Sequence, residues 1–184
     1  MGSRSASDRD GARPTAGDSS PESPVDVARA VVLRRLSFGP RTRVQLHEAI
    51  LAKDVPADVA DAVLDRFVEV GLVDDADFAR EWVRVRHRDK GLSRRALADE
   101  MRRKGVRAED AVEALWTLDG DDERAAAEAL VARRLQSSRG LEYPKRVNRL
   151  MGMLARKGYG PGLAGDVVRQ ALADEGQDQE EHLD

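Results

Sequence analysis

Three histidines, His47, His87 and His182, are the side chains of this 184-residue sequence best suited to metal or acid–base work, and no cysteine joins them. A zinc site needs three or four converging ligands, so scattered imidazoles without thiolates would require a carboxylate cluster assembled by the fold. His47 and Glu48 are sequence neighbours and so point to different parts of a helix surface, and His47 reads as a solvated side chain. Asp74-Asp75-Ala76-Asp77 has the carboxylate density of a calcium loop but lacks its glycine and closing glutamate. Placed just before Phe78, these acids suit the positive end of a helix. No stretch carries the spaced glycines and Lys-Ser/Thr pair of a nucleotide-phosphate loop. Gly158-Tyr159-Gly160-Pro161-Gly162 follows a helical segment and holds a proline at a helix start, so it reads as a turn. These residues point away from an enzyme, and neither a cofactor nor a metal is expected.

Charge is the stronger signal. Lys and Arg total 31 against 34 Asp and Glu, a net −3 that argues against an indiscriminate nucleic-acid binder. The average conceals blocks. Residues 54–77 hold eight acids and one base, and residues 78–107 hold eleven bases and four acids. Residues 108–123 hold seven acids and no base, and residues 133–157 hold eight bases and one acid. The candidate contact residues lie in the two basic blocks: Arg80, Arg84, Arg88, Arg94, Arg95, Arg102, Arg103 and Lys104, then Arg146, Arg149, Arg156 and Lys157. Such clusters suit a polyanion or an acidic protein surface. Arg86 lies beside an apolar stripe and is expected to pack its stem there in a structural ion pair.

The elements that must carry these residues are helices. Phe78, Trp82 and Val85 fall at i, i+4 and i+7, with Arg80, Arg84 and Arg88 opposite. Thr42-x-x-Gln45 fits a capping box; Pro56, Pro144 and Pro161 fit first turns; Gly71, Gly105 and Gly158 fit left-handed helix ends. Trp82 and Trp116 both sit at core spacing, so packing is expected for each.

The sequence also repeats. At an offset of 51 residues, Arg43 lies on Arg94, Leu46 on Leu97, Ile50 on Met101, Lys53 on Lys104 and Val55 on Val106. A further offset of 53 places Leu97 on Leu150, Met101 on Leu154 and Lys104-Gly105 on Lys157-Gly158. The expected fold is all-α, with three tandem three-helix repeats forming an elongated, curved body in which stacked copies bury a shared seam. The expected boundaries are a disordered tail over 1–24, repeats over 25–73, 74–120 and 121–173, and a solvated acidic tail over 174–184. The composition, 41% hydrophobic and 35% charged with short apolar runs and no apolar leader, predicts a soluble intracellular chain outside the membrane.

Leu72-Val73-Asp74-Asp75-Ala76-Asp77-Phe78-Ala79, then Lys90-Gly91-Leu92-Ser93-Arg94-Arg95, then Arg103-Lys104-Gly105-Val106 resemble the second repeat of the RecX family of recombinase regulators. Arg156-Lys157-Gly158-Tyr159 resembles that family's third-repeat Arg-Gly-Phe element, with tyrosine in place of phenylalanine. The resemblance spans residues 25–173. It implies a small, cytoplasmic, monomeric, non-catalytic protein that binds the RecA filament, and single- or double-stranded DNA directly or through it. By that resemblance the protein restrains strand exchange, ATP turnover and SOS co-protease activity. The competing reading is a helix-turn-helix module acting directly on DNA, with Ser93 to Leu115 as helix, turn and helix.

Overall fold

Side-chain oxygens start five of the helices. Ser23, Thr42, Asp74, Ser93 and Asp119 each accept a backbone N–H from the first turn that follows, and Thr42 with Gln45 completes the capping box. The structure, a computed structural model, describes residues 23–181, with side chains placed through 176. Its helices are α1 (Pro24–Leu36), α2 (Arg43–Leu51), α3 (Ala57–Glu69), α4 (Asp75–Lys90), α5 (Arg94–Arg103), α6 (Ala108–Leu115), α7 (Gly120–Leu135), α8 (Tyr143–Arg156) and α9 (Pro161–Glu181). A short 3-10 turn, Gln136–Ser138, follows α7, and no strand occurs among the described residues. Pro161 and Pro144 occupy first turns as expected, whereas Pro56 sits one position earlier, at the N-cap of α3.

The repeat is visible in the buried side chains. Ala28, Ala79 and Ala127 occupy equivalent places on the first helix of each unit, and Val32, Val83 and Val131 lie one turn further along, all with no exposure. Leu46, Leu97 and Leu150, then Ile50, Met101 and Leu154, do the same on the second helix. Alanine at the crossing lets the helices approach closely, and the larger side chains fill the space on either side.

Each three-helix unit closes its own core, drawn from residues 28–73, 78–118 and 127–172 respectively. The expected shared seam is therefore absent among the described residues. With nine or ten buried apolar residues, each three-helix unit completes a core internally, and the units meet through polar groups and through glycine turns seated against Val44, Ser93 and Ala96. The three cores follow one another along the chain.

Two further expectations are corrected. Trp116 was expected in the core but is 78% exposed: α6 ends at Leu115, and Leu115 and Leu118 fill the space it would have taken. The acidic segment from 174 was expected to be a solvated tail, yet α9 continues through it to Glu181. Glu175 is buried at 6% exposure, held by Arg139 at 2.5 Å and by Arg146, whose Nε also reaches Ser138 Oγ at 3.2 Å. Burial pushes the Glu175 carboxyl up, but the two guanidiniums outweigh it and hold the group below the ordinary carboxylate range. The expected N-terminal tail lies outside the described residues except Ser23 and Pro24, which start α1.

Candidate functional site

The second helix of each repeat ends in a turn with positive φ, at Asp54 (φ 58°), Gly105 (φ 76°) and Gly158 (φ 89°). In the second and third repeats this turn is also the joint to the preceding repeat. A Cβ on Gly105 would lie 2.5 Å from Val44 Cβ, and one on Gly158 would lie 2.5 Å from Ser93 Oγ and 2.7 Å from Ala96 Cβ. Glycine is needed at both places by conformation and by space.

The same groups are satisfied across the two joints. Thr42 Oγ1 donates to the Lys104 carbonyl at 2.6 Å, and the Ser93 N–H donates to the Lys157 carbonyl at 3.0 Å. The first amide of α2, at Arg43, donates to Asp75 Oδ1, and the first amide of α5, at Arg94, donates to Glu123 Oε1, each at 2.8 Å. An otherwise orphaned helix-end carbonyl and N–H are thereby paired across each boundary. Thr42 and Ser93 are buried to 0% and 2% exposure, each with its hydroxyl bonded. Burial pushes the Asp75 carboxyl up, against the lowering effect of the Arg43 amide.

Beside the second joint, α5 and α8 enclose a groove of about 530 Å³ lined by Arg95, Arg103, Arg156 and the buried Tyr159. The two carboxylates at its wall are engaged: Asp99 with Arg102 at 3.0 Å, and Glu100 with both Arg86 Nε and the Trp82 indole N–H at 2.9 Å. Arg86 thus makes the structural ion pair its helical angle predicts, and it holds the Glu100 carboxyl below the usual range. Among the described residues, Arg95, Arg103 and Arg156 are exposed and have no ion-pair partner, leaving three cations over one opening.

The other nine candidates are placed differently. Arg80 reaches Asp77 and Glu113, Arg84 grips Glu81 through two nitrogens, and Arg88 bonds its neighbour Asp89. These three are exposed on α4, with their charge partly offset locally. Arg102 pairs with Asp99. Arg94 is half-buried at the joint, and Arg149 is exposed on α8. Lys104 lies over the Trp82 ring, 4.1 Å from its centroid, and Lys157 Nζ donates to the Lys90 carbonyl at 2.7 Å. Arg146 is drawn inward by Glu175, leaving its side chain 15% exposed. Arg80, Arg84, Arg88 and Arg102 each meet an acid within three residues along the chain, whereas Arg146 is engaged by Glu175, 29 residues further on, which spacing along the sequence does not reveal.

The histidines do not converge. His47 is half-buried, 3.7 Å from Asp61, rather than freely solvated, and His87 Nδ1 lies 2.9 Å from the Leu92 carbonyl; His182 lies outside the described residues. Among the described residues no three His, Asp or Glu side chains gather as a metal would require, and no helix is long and apolar enough to cross a membrane. Sequence reasoning missed Tyr159 as the floor of the groove and Glu175 as the clamp of α9. The third-repeat Lys-Gly-Tyr element was the available signal for the first; nothing local marks the second.

Residues 28–67 match the first three-helix domain of RecX, residues 74–115 the second and residues 121–172 the third. The chain is 53% identical over 163 residues to the regulatory protein RecX of Streptomyces coelicolor, covering 89% of this chain and 86% of that one. It is 49% identical over 176 residues to the regulatory protein RecX of Thermobifida fusca, covering 96% and 94%. Its fold superposes on the crystal structure of RecX from Lactobacillus salivarius with a TM-score of 0.71 at 16% identity, over 80% of this chain and 96% of that one.

Proposed function

Because the chain belongs to the RecX family of regulatory proteins, we propose that it regulates the RecA recombinase without catalysis of its own, by lying along RecA–DNA filaments and restraining strand exchange, ATP turnover and SOS co-protease activity. The observation that carries this reading is the groove at the second joint, where Arg95, Arg103 and Arg156 stand unpaired among the described residues above Tyr159. Guanidiniums grip phosphate in a two-pronged geometry, and three of them on one opening fit the backbone of a nucleic acid held in a filament. Separate repeats suit a long partner, since contacts at several points add as avidity. The protein acts as a cytoplasmic monomer, and DNA is met within the filament.

The helix-turn-helix alternative is weaker on one point. α6, which would enter the major groove, carries exposed carboxylates at Glu109 and Glu113, and carboxylates there meet phosphate with repulsion.

The test adds the protein to preformed RecA filaments on single-stranded DNA and follows ATP hydrolysis and filament length. Wild-type protein is expected to depress both at amounts well below one per RecA subunit, and no effect on either overturns the reading. The Arg95→Glu/Arg103→Glu/Arg156→Glu variant is expected to lose most inhibition at unchanged helical content, with the salt dependence of binding flattened by roughly one unit of slope per arginine.

A further inference from the structure

The basic groove at the second joint has a counterpart one repeat earlier. At an offset of 51 residues, the second-repeat positions Leu92, Ala96, Asp99, Glu100 and Arg103 of its lining fall on Arg41, Gln45, Glu48, Ala49 and Ala52. Those five and Arg35 line an open groove of about 390 Å³ on the first repeat. The two grooves treat their arginines differently. Arg86 is held by Glu100 at 2.5 Å. Arg35 occupies the aligned place on α1, but Ala49 stands where Glu100 would be, so the same guanidinium is left without its carboxylate. Arg41 adds a second cation at the place of Leu92.

Glu48 also lines the groove, and Leu51 stands where Arg102 neutralises the aligned Asp99. It is outnumbered. Residues 29–53 hold six bases and one acid. Arg29 is taken by Asp26, and Arg43 by Asp61 and Asp65. Among the described residues, Arg34, Arg35, Arg41 and Lys53 have no ion-pair partner; Arg41 is half-buried and the other three are exposed.

Arg41 also borders the apolar cleft of about 570 Å³ between the α1–α2 turn and α4, where Phe38 and Leu72 stand exposed. The lining of the arginine groove, among the described residues, has no large apolar side chain of the kind that anchors a protein partner. Gln45 Oε1 accepts the Thr42 N–H at 3.2 Å, which leaves its Nε2 as a donor. Guanidinium and amide donors above small side chains fit phosphate. The two basic grooves also adjoin. Thr42 Oγ1 donates to the Lys104 carbonyl at 2.6 Å, and Arg41 and Arg103 are the chain neighbours of these two residues. Their α-carbons therefore lie no more than about 15 Å apart, a span that about five nucleotides of one strand cover.

We propose that the groove at Arg35 and Arg41 is a second binding site for nucleic-acid phosphate, continuing the track that Arg95, Arg103 and Arg156 begin at the second joint. The inference rests on the reading that those three arginines hold a nucleic acid. It extends that track into a repeat outside both of the basic blocks.

The probe is a fluorescein-labelled oligothymidylate of about fifteen nucleotides, titrated with the full chain at low ionic strength and followed by anisotropy. Arg35→Glu/Arg41→Glu is expected to lower affinity about tenfold and to flatten the salt dependence by about 0.7 unit of slope per arginine. Glu48→Gln is expected to raise affinity about threefold. Both variants are expected to keep wild-type helical content. A probe with uncharged methylphosphonate linkages is expected to bind wild type and Arg35→Glu/Arg41→Glu equally weakly. A preference for wild type that persists with this probe overturns phosphate as the ligand. Competition by polyglutamate as effective as by unlabelled oligonucleotide overturns it too, in favour of an acidic protein surface. Absence of saturable binding by wild type overturns the site. Binding lost in Arg95→Glu/Arg103→Glu/Arg156→Glu but unchanged in Arg35→Glu/Arg41→Glu also overturns it, and leaves the regulatory reading intact. Loss in both variants, with no effect of wild type on RecA filaments, overturns the regulatory reading and leaves this site standing.

Discussion

The two joints between repeats are built on one plan and end with opposite surfaces. In each, the start of one repeat's second helix meets the positive-φ glycine turn that ends the next repeat's second helix, and an acid from the following repeat receives its first free N–H. At the second joint Tyr159 and Lys157 tie the neighbouring turn shut, and arginines crowd the opposite groove. At the first, Val106 and Lys104 make no such ties, and an apolar cleft edged by both acids and arginines stays open. The contrast teaches that the glycine turn fixes how repeats connect, while a few residues around it decide what each connection presents.

The largest effect is expected from breaking one joint and sparing the other. Gly158→Val places a branched side chain at φ 89° against Ser93 and Ala96, costing roughly 1–2 kcal/mol in backbone conformation and about 1–3 kcal/mol in overpacking. Amide exchange at Ser93 and Arg94 is expected to accelerate while Arg43 keeps its protection, and Gly105→Val is expected to reverse the pattern. If either variant exposes all three amides, the joints are not independent and the comparison breaks.

Next is the clamp that pins the third repeat from its far end. Glu175→Ala leaves Arg146 without its buried partner and is expected to destabilise by about 3 kcal/mol, read as a lower melting temperature. The folded Glu175 carboxyl titrates below its unfolded value, which is about 4.3. Its contribution is therefore complete above about pH 4.3 and lost as pH falls through the depressed folded value. The melting-temperature gap between wild type and variant is expected to narrow on that descent; a constant gap would deny the ion pair its role.

Tyr159→Phe sharpens the contrast at a smaller cost, about 1 kcal/mol for the lost bond to the Gly91 carbonyl. Burial and the nearby Glu123 push the Tyr159 hydroxyl up to about 12, so it remains a donor at neutral pH. Faster amide exchange around Gly91 is expected, making the second joint behave more like the first. The smallest effect is at the turn where no repeat precedes. Asp54 holds φ 58° with its side chain exposed, and Asp54→Gly is expected to shift stability by less than about 1 kcal/mol, whereas Gly105→Asp should open the first joint. Equal tolerance at both positions would remove the packing argument for glycine.

The helices and their repetition were legible in the sequence because they are set by short-range rules: Thr42 and Gln45 cap α2 through neighbours three residues apart, and Leu46, Leu97 and Leu150 mark one buried position three times. Charge blocks located the basic half for the same reason. The groove was only partly legible. Arg95, Arg103 and Arg146 look alike in a charge count, but the first two stand open and the third is taken by Glu175, which lies 29 residues further along. Trp116 shows the converse error, since periodicity assigned it to a core that Leu115 and Leu118 had already filled.

By itself, the amino-acid order determined an all-helical chain of three related units, because hydrophobic period, caps and left-handed glycine turns act over a few residues. The tertiary structure decided that each unit closes its own core, which arginines remain uncompensated and which of two equivalent grooves stays open. Those outcomes depend on which side chains meet across a joint, and a single hydroxyl such as that of Tyr159, with no counterpart on Val106, redirects them without altering the pattern along the chain.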